Sequence, residues 1–239
     1  ELARTTRIAR IVPVAHGAAA ALIRDGNIAA APTCYERTIP KTLADEYDTL
    51  RDPYIATGSP RLPFGLNLGA QLYAAKETRV LPRDTQLLLL PQYWAWCLSG
   101  VAASEATSLG CHTDLWRPFD NRFSSLARAE GWSEMLAPLR SASAVLGVVT
   151  PDIARLTGLP SDCEVLCGLH DSNSAFFGAR AHPELTNRDV TVISTGTWFV
   201  AMRAPRDPAA FQLNAAHEAR DVLINVDVEG RPAPSARFM

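Results

Sequence analysis

The chain has 239 residues, of which 47% are hydrophobic and 20% are charged, and its formal net charge is −2. This size and composition suit a globular protein with a large core in one or two domains, and the small charge argues against binding of nucleic acid or an anionic membrane surface. Neither Gly-Lys-Ser nor Gly-Lys-Thr occurs in the sequence, which excludes a P-loop NTPase.

The chain has five cysteines, which are scattered and odd in number. This pattern favours a reduced, cytoplasmic protein over one held together by disulfides. Cys163 and Cys167 lie four residues apart, but no second Cys or His pair stands at zinc spacing. We therefore interpret them as buried thiols in or near a strand, and we predict no metal-ligating residue.

Hydrophobic patterning predicts three β-strands at the start of the chain, over residues 8–15, 18–23 and 28–33. The sequence Asp25-Gly26-Asn27 favours a hairpin turn between the second strand and the third. Apolar residues at helical spacing predict helices over residues 65–76 and 123–130. A further helix is predicted from Thr150-Pro151-Asp152 to Gly158, because proline suits the first turn of a helix and glycine its end.

Residues 85–104 carry no formal charge and are long enough to cross a bilayer. Pro91 and Gly100 weaken a membrane span, so a helix buried in a larger core is favoured. Asp84 is a candidate N-cap for this helix, which would run to about Leu98. With a strand predicted over residues 163–168, the whole pattern is α/β.

The segment 168–202 carries the clearest chemical signal. Asp171 follows an apolar run and precedes a helix-competent stretch, and a second apolar run opens into Ser194-Thr195-Gly196-Thr197. A carboxylate could accept the proton of an attacking hydroxyl, while such a turn could offer N–H groups and hydroxyls to phosphate oxygens. The structural alternatives are a helix N-cap for Asp171 and an ordinary β-turn for residues 194–197.

The residues themselves add a resemblance to a known family. GLHDSNSAFFGA (168–179) followed by VISTGTWFVAM (192–202) resembles the carbohydrate kinases of the FGGY family, and so do residues 89–116 and 14–17. The sequence of residues 89–116 is most similar to the rhamnulokinase and fuculokinase branch of that family. The resemblance implies the ribonuclease-H-like, actin-like ATPase fold. It also implies a sugar-binding lobe over residues 1–165 and the start of a nucleotide-binding lobe over residues 166–239, with the His-Asp motif at the hinge.

The same resemblance assigns roles to individual residues. It makes Asp171 the general base, Thr195, Gly196 and Thr197 the contacts for the phosphates of ATP, and Mg²⁺ the ion that neutralises their charge. The residues it suggests for contact with the sugar are His16, Gly17, Tyr35, Glu36, Glu105, His170 and Ser172.

Several of these assignments have structural alternatives. His16 could be a core histidine, His170 a neutral hinge histidine bonded to backbone, and residues 104–108 a solvated helix end. The segment at Tyr35 and Glu36 departs from the family's W-x-D-x-R pattern, so specificity cannot be copied from it. His112 and Asp114 could form a pair, although a loop is favoured.

The expected protein is an ATP-dependent kinase of a ketose or deoxyketose. We expect a small-molecule sugar partner, no nucleic acid, no membrane, and a chain that could form a homodimer. The family's D-x-G-T loop has no counterpart here, so the sequence is expected to be an internal fragment that is inactive alone. The rival hypotheses are a non-catalytic sugar-binding or regulatory protein on the same fold, and a chaperone- or actin-like ATPase.

Overall fold

The computed structural model describes residues 6–78, 81–82, 84–185, 188–195, 199–207 and 211–238. The strands are β1 (Arg10–Ile11), β2 (Val14–Ala15), β3 (Ala20–Arg24), β4 (Asn27–Ala30), β5 (Gln86–Leu89), β6 (Trp116–Arg117), β7 (Arg122–Phe123), β8 (Val145–Val148), β9 (Glu164–Leu166), β10 (Leu169–His170), β11 (Val190–Thr195), β12 (Phe199–Ala204), β13 (Leu223–Val226) and β14 (Pro232–Phe238). The α-helices are α1 (Lys41–Leu50), α2 (Tyr54–Thr57), α3 (Leu68–Glu77), α4 (Leu90–Ser99), α5 (Ala106–Leu109), α6 (Ser125–Ala129), α7 (Trp132–Met135), α8 (Pro151–Thr157), α9 (Asp171–Arg180) and α10 (Ala215–Glu218), and Pro183–Leu185 forms a 3₁₀ turn.

Two parallel strand pairs join distant parts of the sequence. β1 pairs with β9, which itself pairs with β8, and β2 pairs with β10. In the second pair His170 lies opposite Ala15. Because His16 follows β2 directly, this register places the end of β2 beside the His170-Asp171 motif.

The later part of the chain forms an antiparallel sheet in the order β11-β12-β14-β13. Its β13 edge packs against the first half of the chain, where the N–H of Ile224 donates to the carbonyl of Gly58 at 2.8 Å. Gly58 has φ +59°, and a Cβ there would overlap the Ile224 side chain. Glycine is therefore required at this contact, for both backbone conformation and space.

The hairpin prediction is confirmed. β3 and β4 are antiparallel neighbours, and the residues between them, Asp25 and Gly26, have φ of 50° and 71°. Two positive φ values belong to the type I′ turn that matches strand twist. The single strand predicted over residues 8–15 is instead broken into β1 and β2 at Pro13, because proline has no N–H to donate to a ladder.

The helix predicted from Asp84 to Leu98 is wrong at its start. Residues 86–89 form β5, which pairs with β3, and the leucines of β5 are buried. Helix α4 begins at Leu90 with Pro91 in its first turn, and it ends at Gly100. A short apolar run fits a strand or a helix equally well. Here it forms a strand because the edge of β3 provides a partner for pairing. Across the part of the chain that the structure describes, no helix is long and apolar enough to span a membrane.

The remaining helix predictions are confirmed with shifted ends. Residues 65–76 correspond to α3, residues 123–130 to α6, and residues 150–158 to α8. The Ser124 and Thr150 hydroxyls cap α6 and α8 by accepting N–H bonds. The main core cluster packs β3, β5 and α3 around Leu68, Leu87 and Trp132, and it includes Val226 of β13. The core thus extends from the first half of the chain to the later sheet.

Candidate active site

A cavity of about 430 Å³ lies between the first half of the chain and the later sheet. Its residues come from three places. The first half supplies His16, Gly17, Tyr35, Pro60, Leu62, Leu66, Cys111 and His112; the β10–α9 junction supplies His170, Asp171 and Ser172; and the later sheet with its preceding loop supplies Ser194, Val200, Asp221, Leu223, Asn225, Ser235 and Arg237.

Asp171 stands where β10 ends and α9 begins. His170 is the N-cap residue of α9, and Asp171 is the first residue of the helix. The Asp171 Oδ1 accepts the Ser172 N–H at 2.6 Å, while 51% of the side chain stays exposed. The N-cap alternative is thus displaced by one residue, although the carboxylate does accept a backbone N–H.

His170 lies beneath Asp171 and is buried. Its Nε2 is 3.0 Å from Asp171 Oδ1 and 3.2 Å from Cys111 Sγ, and its Nδ1 is 3.2 Å from Asn173 Nδ2. Burial lowers the pKa of His170, and nearby His16 lowers it further, while the Asp171 carboxylate opposes this shift. We therefore treat the ring as neutral near pH 7, so its contact with Asp171 is not an ion pair. The ring bonds to side chains, whereas the sequence suggested a bond to backbone.

His16 and Tyr35 face the cavity as an edge-to-face pair. Their ring centroids are 5.4 Å apart with an interplanar angle of 72°, and His16 Nδ1 is 2.7 Å from the carbonyl of Gly17. A Cβ on Gly17 would lie 2.7 Å from Cys111 Sγ. These three predicted residues are therefore brought together with Asp171.

Two other predicted sugar contacts lie outside the cavity lining. Glu36 is exposed on the surface. Glu105 is buried and caps α5, accepting bonds from the Thr107 N–H, the Thr107 hydroxyl and the Ser108 N–H. Burial raises the pKa of Glu105, against the lowering effect of these bonds. Glu105 reaches the site indirectly, since the His170 N–H donates to Thr107 Oγ1 at 3.1 Å. Contact of either residue with sugar stays a prediction.

The structure describes only the first part of the predicted phosphate turn, residues 194 and 195. Ser194 lines the cavity, and Thr195 is the last residue of β11. Gly196, Thr197 and Trp198 lie outside the described residues. Their role stays a prediction from the sequence.

The structure adds residues that the sequence analysis did not assign to the site. His112 lines the cavity, and its Nδ1 bonds the carbonyl of Leu66. Burial, with a smaller effect from His170, lowers the pKa of His112 to about 4. Arg237 faces the same cavity, where burial lowers its pKa and Asp221 opposes that shift. No local pattern marks these residues, because the fold brings them to the cavity from separate strands and loops.

The pair considered between His112 and Asp114 is not formed. Asp114 instead accepts hydrogen bonds from the Tyr47 hydroxyl at 2.6 Å, Arg51 Nη2 at 3.0 Å and Asn67 Nδ2 at 3.2 Å. Both residues lie in the loop before β6, as favoured from the sequence. Among the described residues, no group of three or more His, Cys, Asp or Glu side chains could hold a metal ion.

Known carbohydrate kinases are similar to this chain in sequence and in fold. The family model described as "Carbohydrate kinase FGGY, C-terminal domain" matches residues 187–239. A solved carbohydrate kinase from Novosphingobium aromaticivorans is 48% identical to this chain, with a TM-score of 0.93 over all of it. The chain is therefore similar to the FGGY carbohydrate kinases, and its residues 187–239 match the C-terminal domain of that family.

Two further sugar kinases are similar to this chain. An L-fuculokinase from Salmonella typhi is 36% identical over 78 residues, which are 32% of this chain and 16% of that protein. A ligand-bound xylulose kinase from Lactobacillus acidophilus is 13% identical, and it matches 98% of this chain with a TM-score of 0.75. The α/β fold is therefore that of the sugar kinases, as the resemblance implied. The specific tie to the rhamnulokinase branch stays a prediction.

The chain spans about half the length of the solved kinases that it matches. It covers 51% of the Novosphingobium enzyme and 47% of the Lactobacillus xylulose kinase. The activity, substrates and partners of the whole protein are therefore proposed below.

Proposed function

We propose that the protein phosphorylates a hydroxyl of a sugar at the expense of ATP, with Asp171 as the general base. The observation that carries this proposal is the placement of a half-exposed carboxylate, anchored through Oδ1 at a helix start, in a cavity with polar groups on its walls. Phosphoryl transfer needs little more from a protein than positioning and charge stabilisation.

In the proposed step, the O–H bond of the sugar breaks and its proton passes to the Asp171 carboxylate. The freed oxygen bonds to the γ-phosphorus, and ADP leaves. His16 and Tyr35 line the same cavity. Both side chains can donate and accept hydrogen bonds, which suits sugar hydroxyls. The family resemblance favours a ketose or deoxyketose, such as rhamnulose or fuculose.

The later sheet supplies the side of the cavity suited to phosphate. Ser194 and Arg237 both line it, and a hydroxyl and a guanidinium are donors that phosphate oxygens accept. The predicted contacts of Thr195, Gly196 and Thr197 would continue this surface. Mg²⁺, when bound, would neutralise phosphate charge, and no described residue is assigned to hold it. The five free thiols suit the proposed cytoplasmic location.

The test is a panel of ketoses and polyols added to the whole gene product, with ADP release coupled to an optical signal and sugar binding measured by calorimetry. We expect one sugar or a few to stimulate ADP release. Binding of sugar without ADP release would favour the non-catalytic sugar-binding protein. ATP turnover that ignores every sugar would favour a chaperone- or actin-like ATPase.

A further inference from the structure

Asn173 lies in the first turn of α9 and contacts the ring of His170. This contact bears on which ring nitrogen of His170 carries the proton. Asn173 is 1% exposed, and its Nδ2 lies 3.2 Å from His170 Nδ1. An amide nitrogen can only donate, so His170 Nδ1 must present its lone pair to it. In a neutral imidazole the proton then resides on Nε2.

The contact at the other end of the ring favours the same tautomer. His170 Nε2 is 3.0 Å from Asp171 Oδ1. A carboxylate oxygen can only accept, so a hydrogen on Nε2 makes this contact favourable and a lone pair there would make it repulsive. If the Asn173 amide were turned over, its oxygen would demand a proton on Nδ1. A neutral ring would then present the Nε2 lone pair to Asp171 Oδ1, and that contact would be repulsive.

Cys111 does not alter this choice. Its Sγ lies 3.2 Å from the same Nε2, and a sulfur atom can accept weakly or donate weakly. Burial raises the pKa of the Cys111 thiol well above its usual range, and Asp171 raises it further. The thiol therefore stays neutral and offers no charge that would compete with Asp171.

From these contacts we propose that Asn173 is a positioning residue, which fixes His170 as the Nε2–H tautomer and so holds Asp171 by its Oδ1. This proposal rests on the proposed kinase function for its catalytic meaning. Oδ1 accepts the Ser172 N–H and lies 3.0 Å from His170 Nε2. Oδ2 is thereby assigned as the oxygen that takes the proton of the sugar hydroxyl.

The tautomer can be measured directly on this 239-residue chain. Long-range ¹H–¹⁵N correlation spectra distinguish the Nε2–H ring, the Nδ1–H ring and the imidazolium. The His170 signals are assigned by their loss in His170→Gln. We expect the Nε2–H form near neutral pH. The titratable groups that lie near the ring are Asp171, Cys111, His16 and His112. An Nδ1–H ring or an imidazolium in the unaltered chain would overturn the proposal, whether or not the protein proves to be a kinase.

Two substitutions at Asn173 make the test sharper. Asn173→Asp places only acceptors opposite Nδ1, so we expect Nδ1 to become protonated. Asn173→Leu keeps the volume and removes the amide, so we expect a mixture of tautomers. Retention of a pure Nε2–H ring in both variants would show that Asn173 does not set the tautomer. If Asn173→Leu does not fold, the tautomers measured in Asn173→Asp and in the unaltered chain still test the proposal.

Turnover provides the second readout, in the whole gene product once a stimulating sugar is known. Asn173→Leu should lower kcat by roughly ten- to a hundredfold, by analogy with loss of the residue that orients a metal-bound histidine, with the KM for sugar little changed. A purely structural role would lower the amount of folded enzyme without altering kcat per folded molecule. Unchanged kcat beside a changed tautomer would contradict the link to Asp171.

Discussion

The guanidinium of Arg51 lies 3.0 Å from the carboxylate of Asp114, and their side chains are only 11% and 1% exposed. Asn67 joins them by donating to Asp114, and the same amide also bonds the Pro60 carbonyl and the Leu62 N–H. Pro60 and Leu62 line the cavity. This buried network therefore holds one wall of the candidate active site.

Arg51→Met should destabilise the fold strongly, because it leaves the Asp114 carboxylate buried without its cation. Loss of one partner of a buried pair costs about 3–5 kcal/mol, which thermal and urea unfolding would measure. Adding Asp114→Asn to Arg51→Met should recover part of the loss. The control is Arg7→Met, since the Arg7–Asp162 pair is mostly exposed and should alter the Tm little. Equal effects of the two arginine substitutions would refute the role of this network.

Acid should destabilise the protein through His112. The unfolded histidine has a pKa near 6.5, and in the fold that pKa is about 4. Between these values the unfolded chain binds a proton that the folded chain does not, so stability is fully present above pH 6.5 and is lost as pH falls toward 4. At 1.36 kcal/mol per pH unit the loss is about 3 kcal/mol.

The variant that tests this is His112→Asn. Position 112 has φ 41°, a conformation that asparagine tolerates and most other residues do not. Asparagine does not titrate, so the variant's unfolding free energy should fall less steeply between pH 6.5 and 4. An equally steep fall in both proteins would assign the acid sensitivity to other groups.

Asp171→Asn should abolish most sugar-dependent ADP release in the whole gene product while leaving sugar binding in place. The amide keeps the shape of the carboxylate but cannot take a proton, and general-base catalysis is worth about 10²- to 10⁴-fold. Because Asp171 also accepts the Ser172 N–H, the Tm of the variant is measured alongside kcat. The control is Asp152→Asn, an exposed acid in the first turn of α8, which should leave kcat unchanged. A kcat within about fivefold of the unaltered enzyme would remove Asp171 from the mechanism.

Gly58→Ala should weaken the packing of β13 against the first half of the chain. Its φ of +59° is unfavourable for alanine, and the added methyl would overlap Ile224. Gly26→Ala is the matched control, since its φ is +71° and nothing lies within 4 Å of the added methyl. The backbone strain of about 1–2 kcal/mol is common to both, and crowding should add roughly 1–3 kcal/mol at Gly58 alone. Equal losses of unfolding free energy in the two variants would mean that β13 shifts to accommodate the added methyl group at no cost.

Several local features of the fold follow from the sequence alone. The Asp25-Gly26 hairpin, the start of α8 at Thr150-Pro151 and the strand-to-helix junction at Asp171 were all predictable. Each depends on hydrogen bonds and backbone angles within a few residues, where the type of residue restricts the conformation directly. The resemblance to the FGGY motif then predicts a chemical role for Asp171.

The tertiary structure decided what the local pattern left open. Residues 86–89 became a strand because β3 offered them a partner, and Asp114 met Arg51 rather than its near neighbour His112. Cys111 reached His170 across 59 residues of sequence. Such contacts depend on the path of the whole chain and on the burial that this path imposes. The sequence by itself therefore determined the local elements and the position of the motif, while only packing determined which side chains surround Asp171.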